Sequence, residues 1–242
     1  MTTELIEIDS RVLHGNALSI RDFDPEADFE VFERCYVKEY DPVYVVCKIP
    51  MERVNDAHVL ESAGFRLIES QIRFAIDLGE PFDVSQAPYD FKRVTCQEHL
   101  HDVLEIAGTT FTNDRFSLDR SLDAGVSGAR YREYVRRSFQ SPDEAVYRLV
   151  DRATGLTVAF KTHRYTSSTD VLFLLTGVRP GFKNRGIGRL NECFELNELM
   201  RKGIKRGITH ISAANYAAFN LYIGNLGFRV VTTFAVLRKV YR

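Results

Sequence analysis

Residues Leu175-Thr176-Gly177-Val178-Arg179-Pro180-Gly181-Phe182-Lys183-Asn184-Arg185-Gly186-Ile187-Gly188-Arg189 read as a strand, a turn and a glycine-spaced loop that opens a helix. Glycine lets backbone approach a bulky anion with no Cβ in between. The first turn of a helix has N–H groups without helical partners, and together with the helix dipole these bind phosphate. Lys183, Arg185 and Arg189 add positive charge at the same place. The loop is not a P-loop, because no Gly-Lys-Ser/Thr closes it. It is not a dinucleotide fingerprint either, because GxGxxG and the ribose-binding acid after the next strand are missing.

Downstream, Leu190, Cys193, Phe194, Leu196, Met200 and Ile204 recur mostly on one helix face, and Gly207 is expected to stop that helix. Residues 209–214 read as a strand, 217–226 as a short helix and 228–237 as a last strand. Upstream, 91–94 reads as a strand. Thr95-Cys96-Gln97-Glu98 has the form of a capping box for a helix bearing Leu100, Val103, Leu104 and Ala107. Residues 112–128 are rich in Asp, Ser and Gly and read as irregular, and 129–139 as a helix. Strands at 145–150 and 156–165 pair as a hairpin about Ala153-Thr154-Gly155, and 171–178 is a third strand. The expected class is a mixed α/β sheet.

Residues 81–89, with Pro81 and Pro88, read as a linker between a part at 1–80 and a larger part at 90–242. Leu60-Glu61-Ser62-Ala63-Gly64-Phe65-Arg66-Leu67-Ile68 resembles Ile223-Gly224-Asn225-Leu226-Gly227-Phe228-Arg229-Val230-Val231. Each copy follows a strand and a short helix. One reading is chance. The other makes the first part a truncated copy of the second part's C-terminal half.

Composition bounds the function. The 242 residues carry 32 Lys+Arg against 33 Asp+Glu, a balance that argues against a dedicated nucleic-acid binder. The longest apolar runs, 43–47 and 171–175, are far short of the ~20 residues a spanning helix needs, so no membrane insertion is expected. The N-terminus lacks the basic-then-apolar layout of a secretory signal. Cys35, Cys47, Cys96 and Cys193 are scattered and form no CxxC, which fits reduced thiols in a cytoplasmic protein and no metal site.

The glycine loop acquires a partner about 30 residues later. Asn215, Ala218, Leu221, Tyr222, Gly227 and Phe228 follow the pattern Asn…Ala…Leu-Tyr…Gly-Phe. With both motifs at this separation, residues 90–242 resemble the GNAT acyl-CoA N-acyltransferase superfamily. Lys183 stands where that family carries Arg or Gln. The resemblance implies a GNAT fold, with a truncated GNAT-like subdomain before it, and acetyl-CoA as co-substrate. It implies that Lys183, Asn184, Arg185, Gly186, Ile187, Gly188 and Arg189 hold the pyrophosphate. Thr176, Gly177 and Val178 would pair with the pantetheine arm as an added strand does, Gly177 permitting a bulge or close approach. Asn215 either bonds that arm or caps the next helix. Tyr222 is the implied general acid toward the departing thiolate; the alternative is a half-buried packing tyrosine.

A looser resemblance, to nucleotide-sugar N-acetyltransferases of the dTDP-fucosamine type, rests on Leu60…Gly64-Phe65-Arg66…Arg73-Phe74, Phe111…Asp114-Arg115-Phe116, Tyr131…Tyr134-Val135 and Tyr241-Arg242. It departs at Val12-Leu13-His14-Gly15. It implies a nucleotide-linked amino sugar for polysaccharide assembly, met by Arg73, Arg115, Phe116, Tyr131 and Tyr134. Guanidinium forks suit a diphosphate, and aromatic faces suit base and sugar. A homodimer is a further expectation. His163, Asp170 and His210 fall near strand ends, and none stands out as general base. The alternatives are a protein or peptide amine as acceptor, and a nonenzymatic acyl-CoA-binding module.

Overall fold

A computed structural model describes residues 1–241. Arg242, the end of the C-terminal match, lies outside the described residues. Ten strands form one sheet in the order β1 (Thr2–Leu5), β2 (Asn16–Arg21), β3 (Pro42–Pro50), β10 (Arg229–Val240), β4 (Arg66–Asp77), β9 (Arg206–Ser212), β8 (Asp170–Val178), β7 (Thr157–Tyr165), β6 (Glu144–Asp151) and β5 (Tyr89–Arg93). Helices cover both faces. α2 (Phe29–Tyr40), α3 (Val54–Ser62), α7 (Ile187–Arg201) and α8 (Tyr216–Leu226) lie on one; α1 (Glu7–Leu13), α4 (Gln97–Thr110), α5 (Arg115–Leu118) and α6 (Val126–Gln140) lie on the other.

Strand alternation sends successive side chains into different cores. Cys47 packs beneath α2 and α3, whereas Val46 packs with Ala17, Tyr44 and Val236 on the α1 side. Near the middle of the sheet, Phe74, Val171, Phe173 and Ile211 meet Cys193, Leu196 and Leu199 of α7 and Tyr222 and Leu226 of α8. No described helix is long and apolar enough to cross a membrane.

The repeat Gly64-Phe65-Arg66/Gly227-Phe228-Arg229 corresponds to a near two-fold arrangement. β2 and β3 run parallel, as do β8 and β9. Each pair is followed by a helix, α3 or α8, and a twelve-residue strand, β4 or β10. Those last strands are exchanged: β4 pairs with β9, and β10 with β3. They also pair antiparallel with each other, Arg66 opposite Arg238 and Arg229 opposite Ala75. Ile68 and Val231, each two residues into its strand, are the bulged residues. The division at 81–89 is therefore not a division in space. Both crossovers skip a strand, and each gap is filled by the other half.

Several local expectations are corrected. Cys96, not Thr95, is the N-cap of α4, and no side chain caps it. Residues 112–128 hold α5, whose N-terminus Asp114 caps through Phe116 and Ser117 N–H, and α6 starts at Val126. α7 stops at Arg201, with Gly203 at φ +83° carrying the turn. Gly207 lies inside β9 instead, where a Cβ would overlap the Phe173 ring.

Candidate active site

β8 and β9 pair only at Asp170–Arg206, Val171–Gly207 and Leu172–Ile208, and beyond that they part. The equivalent pair β2 and β3 stays bonded to Ile20–Cys47, so the N-terminal copy has no matching opening. The opening begins where Leu174 is bulged out of the β7–β8 ladder, and Thr209 Oγ1 donates across it to the Phe173 carbonyl at 3.4 Å. A cleft of about 410 Å³ occupies this splay. Its walls are Phe173–Val178 of β8, Thr209–Ser212 of β9, the loop at Lys183, Asn184 and Gly188, and Asn215, Leu221 and Tyr222.

The loop ends at the N-terminus of α7. Gly186 is the N-cap at φ +76°, with no side chain capping the helix. The first helical bond comes from Leu190 N–H to the Gly186 carbonyl, so the N–H groups of Ile187, Gly188 and Arg189 precede it. The two glycines serve different needs. Gly186 has a left-handed backbone that disfavours any Cβ. Gly188 has an ordinary φ, and a Cβ there would stand 3.9 Å from Leu221 and Val178, in plain contact. Asn184 also has φ +60°. Lys183 and Asn184 line the cleft; Arg185 and Arg189 are exposed beside it, and the Ile187 side chain is buried with Leu149 and Val158.

Thr176, Gly177 and Val178 face the cleft. Gly177 is glycine for an internal reason: a Cβ would run into the Phe160 ring on β7. Asn215 is the N-cap of α8, its Oδ1 accepting from Ala218 N–H at 3.2 Å, and it also lines the cleft. Tyr222 is 3% exposed, packed against Phe74 and Phe228, and reaches the cleft wall. Burial and the neighbouring Glu192 carboxylate raise its phenol well above the ordinary value, opposed by Lys161.

Beneath Tyr222 lies a buried ionic network absent from the sequence reading. Lys161 Nζ sits 2.8 Å from both Glu192 oxygens and 2.9 Å from Glu195 Oε2, while His163 Nδ1 is 2.7 Å from Glu195 Oε1. All four residues are at most 1% exposed. His163 is therefore committed to Glu195 and lies out of reach of an acceptor. Burial costs the Lys161 ammonium, but the two carboxylates outweigh it and hold it charged. The sequence did carry a signal. Glu192 and Glu195 stand four residues before Leu196 and Leu199, inside the apolar stripe of α7.

The face bearing α1 and α6 carries a polar strip from β3 to β9: Lys48, Glu69, Gln71 and His210. Glu69 and His210 line the cleft, and neither was singled out as lining it from sequence. Burial raises the Glu69 carboxyl. Burial, then the Lys48 and Arg73 charges, lower His210 to about 4. Asp170 is at the surface with Arg206.

The five residues expected to meet a sugar nucleotide are not gathered in one place. Tyr131 stacks on Phe111 at 3.8 Å and lines the cleft. Arg115 and Tyr134 line a second cavity. Phe116 belongs to neither; it is 3% exposed, against Tyr44 and under the Arg130 guanidinium at 4.2 Å. Arg73 lies opposite His210 in the sheet but outside both cavities. Buried Asp9 holds Arg130 at 2.6 Å and Arg115 at 3.2 Å, tying α1 to α5 and α6. No group of three or more His, Cys, Asp or Glu among the described residues is arranged to hold a metal ion.

No family model matches the sequence, and no curated protein matches it either. Solved structures do. A GCN5-related N-acetyltransferase from Sphaerobacter thermophilus aligns over 98% of this chain and 76% of its own, at 16% identity and TM-score 0.69. A tandem GNAT protein from the clavulanic acid biosynthesis pathway covers 93% and 75%, at 16% identity and TM-score 0.63. A glucosamine N-acetyltransferase region of a fungal multi-domain GH3 β-N-acetylglucosaminidase covers 98% of this chain and 31% of its own, at 9% identity and TM-score 0.67. The ten-stranded sheet, splayed at β8 and β9 over the glycine loop, thus has the GNAT N-acetyltransferase fold, with a partial second copy at its N-terminus.

Proposed function

We propose that this chain is an acyl-CoA-dependent N-acetyltransferase acting on a small amine. The observation that carries the reading is the alignment of two openings: the parting of β8 from β9 after Leu172, and the uncapped first turn of α7 at its outer end. When bound, acetyl-CoA supplies an activated acyl thioester. Its diphosphate fits the N–H groups at 187–189, with Lys183 and Arg185 nearby, because an α7 N-terminus without a side-chain cap favours an anion. Its extended arm fits the free edge of β8 at Thr176–Val178, and Asn215 can offer its amide N–H while its oxygen caps α8.

Tyr222 is the proposed proton donor to the departing thiolate. Its raised pKa keeps the phenol protonated, and the Glu192–Lys161 pair behind it fixes its place. The amine arrives from the face of α1 and α6. Glu69, a carboxyl made more basic by burial, is the proposed proton acceptor there. Cations along that face oppose a cationic peptide and suit an acceptor with a negative group. A nucleotide-linked amino sugar is the finer form of this reading, carried by the motif resemblance, Arg115 and Tyr134.

The test is incubation with acetyl-CoA and a panel of amines, following thiol release and product mass. Transfer to a small amine supports the reading. Binding of acetyl-CoA with no transfer to any amine would favour a nonenzymatic module, and absence of binding would overturn both.

A further inference from the structure

The second cavity, about 530 Å³, has walls from both halves of the chain: Glu4, Arg21 and Lys48 from the first, and Arg115, Arg137 and Arg164 from the second. It meets the cleft at Gln71 and Leu174, the bulged residue where β8 leaves the ladder. Five cations line it against two carboxylates, Glu4 and Glu7, so cations are in excess even with Glu7 counted against one of them. Arg21 pairs with Glu4 and Arg164 with Glu144. Arg115 shares the single charge of Asp9 with Arg130, and its Nε is buried without a partner. Lys48 and Arg137 have no carboxylate partner among the described residues, and Arg73, whose charge acts on Lys48 from outside the cavity, has none either. Lys48 Nζ turns instead to the Gln71 amide oxygen at 2.6 Å.

Cations in excess over carboxylates in a concave site repel one another, and that repulsion is relieved when an anion enters. Lys48 records it: burial, then Arg73, bring it down to about 8 although Glu69 opposes this. Arg forks and a lysine suit phosphate or carboxylate oxygens. We infer that this cavity, through Lys48, Arg115 and Arg137, binds a compact oxyanion carried by the acceptor, placing the acceptor's amine at the Gln71–Leu174 junction. The role in transfer rests on the acetyltransferase reading; the binding of the oxyanion does not. The oxyanion can be a free-standing phosphate or carboxylate on the acceptor, or the diphosphate of a nucleotide.

Calorimetry with inorganic pyrophosphate tests the binding. The expected result is two classes of site: one at the α7 loop, lost in Gly188→Glu, and one in the cavity, weakened at least tenfold in Lys48→Gln/Arg137→Ala. Both substituted side chains can be lost without opening the apolar core, and circular dichroism checks the fold. Undiminished pyrophosphate binding in the double variant overturns the inference. A second arm compares amino sugars bearing a phosphate, a carboxylate, a nucleoside diphosphate or no anion. At least a tenfold higher kcat/KM for an anionic member, lost in the double variant through KM, supports the acceptor role and tells the sources apart. Equal kcat/KM across the set overturns that role. Loss of the cavity class of pyrophosphate binding in the double variant, with no transfer to any member or to any amine of the wider panel, leaves the oxyanion site standing and overturns the acetyltransferase reading.

Discussion

Replacing Gly188 by glutamate should abolish acyl-CoA binding and leave the fold intact, whereas replacing Gly186 by alanine should do nearly the reverse. A Cβ at 188 meets only Leu221 and Val178, at 3.9 Å, so the helix accepts it. Alanine in a helix is favoured over glycine by about 0.8–1.0 kcal/mol, so Gly188→Ala should be neutral or slightly stabilising. Glutamate there extends into the cleft that Gly188 lines. A carboxylate about 5 Å from a phosphate, at an effective dielectric near 20, is repelled by about 3 kcal/mol. That is roughly a hundredfold in Kd, before any loss of space. At Gly186, φ +76° puts alanine in the left-handed region, at a cost of about 1–2 kcal/mol in stability. Differential scanning calorimetry and titration with CoA separate the two effects. Wild-type CoA affinity in a folded Gly188→Glu would refute the assignment of this loop.

Tyr222→Phe should lower kcat by about 10²–10⁴-fold with CoA affinity unchanged; full kcat with chemistry rate-limiting would make Tyr222 a packing residue only. Lys161→Met leaves Glu192 and Glu195 facing each other unneutralised, and should destabilise by about 3–5 kcal/mol in denaturant titration. Stability should fall between pH 6.5 and 4. Folded His210 titrates near 4 against 6.5 when free, so across that window the unfolded chain binds the extra proton. Because the ring keeps some solvent, this amounts to about 2 kcal/mol, and His210→Gln should remove it; an unchanged pH slope of Tm would show another group responsible. Glu69→Gln should lower kcat at neutral pH and remove its acid limb, and an unaltered pH–rate profile would exclude Glu69 as the base.

Local patterning made much of the second part readable. The alternation of strands and helices from 91 to 237 follows from residue periodicity, which needs no tertiary partner. So does the loop at 183–189, whose glycines and uncapped helix start are backbone properties of a few adjacent residues. The repeat at Gly64 and Gly227 was visible as similarity, and even its bulges at Ile68 and Val231 fall at matching positions. What the chain does with that repeat was not readable. The exchange of β4 and β10 pairs residues more than 125 positions apart, and a sequence states no pairing at that distance. That exchange brings Glu69 and Gln71 of the first part to the cleft of the second. The same holds for charge. Glu192 and Glu195 stand out only as charges inside an apolar stripe and Lys161 and His163 not at all, and only the packing of α7 on β7 shows that the four are partners. Phe116 and Arg115 are neighbours in sequence, yet the turn of α5 sends one into the core and the other into the basic cavity, because direction depends on what each side chain meets across the fold.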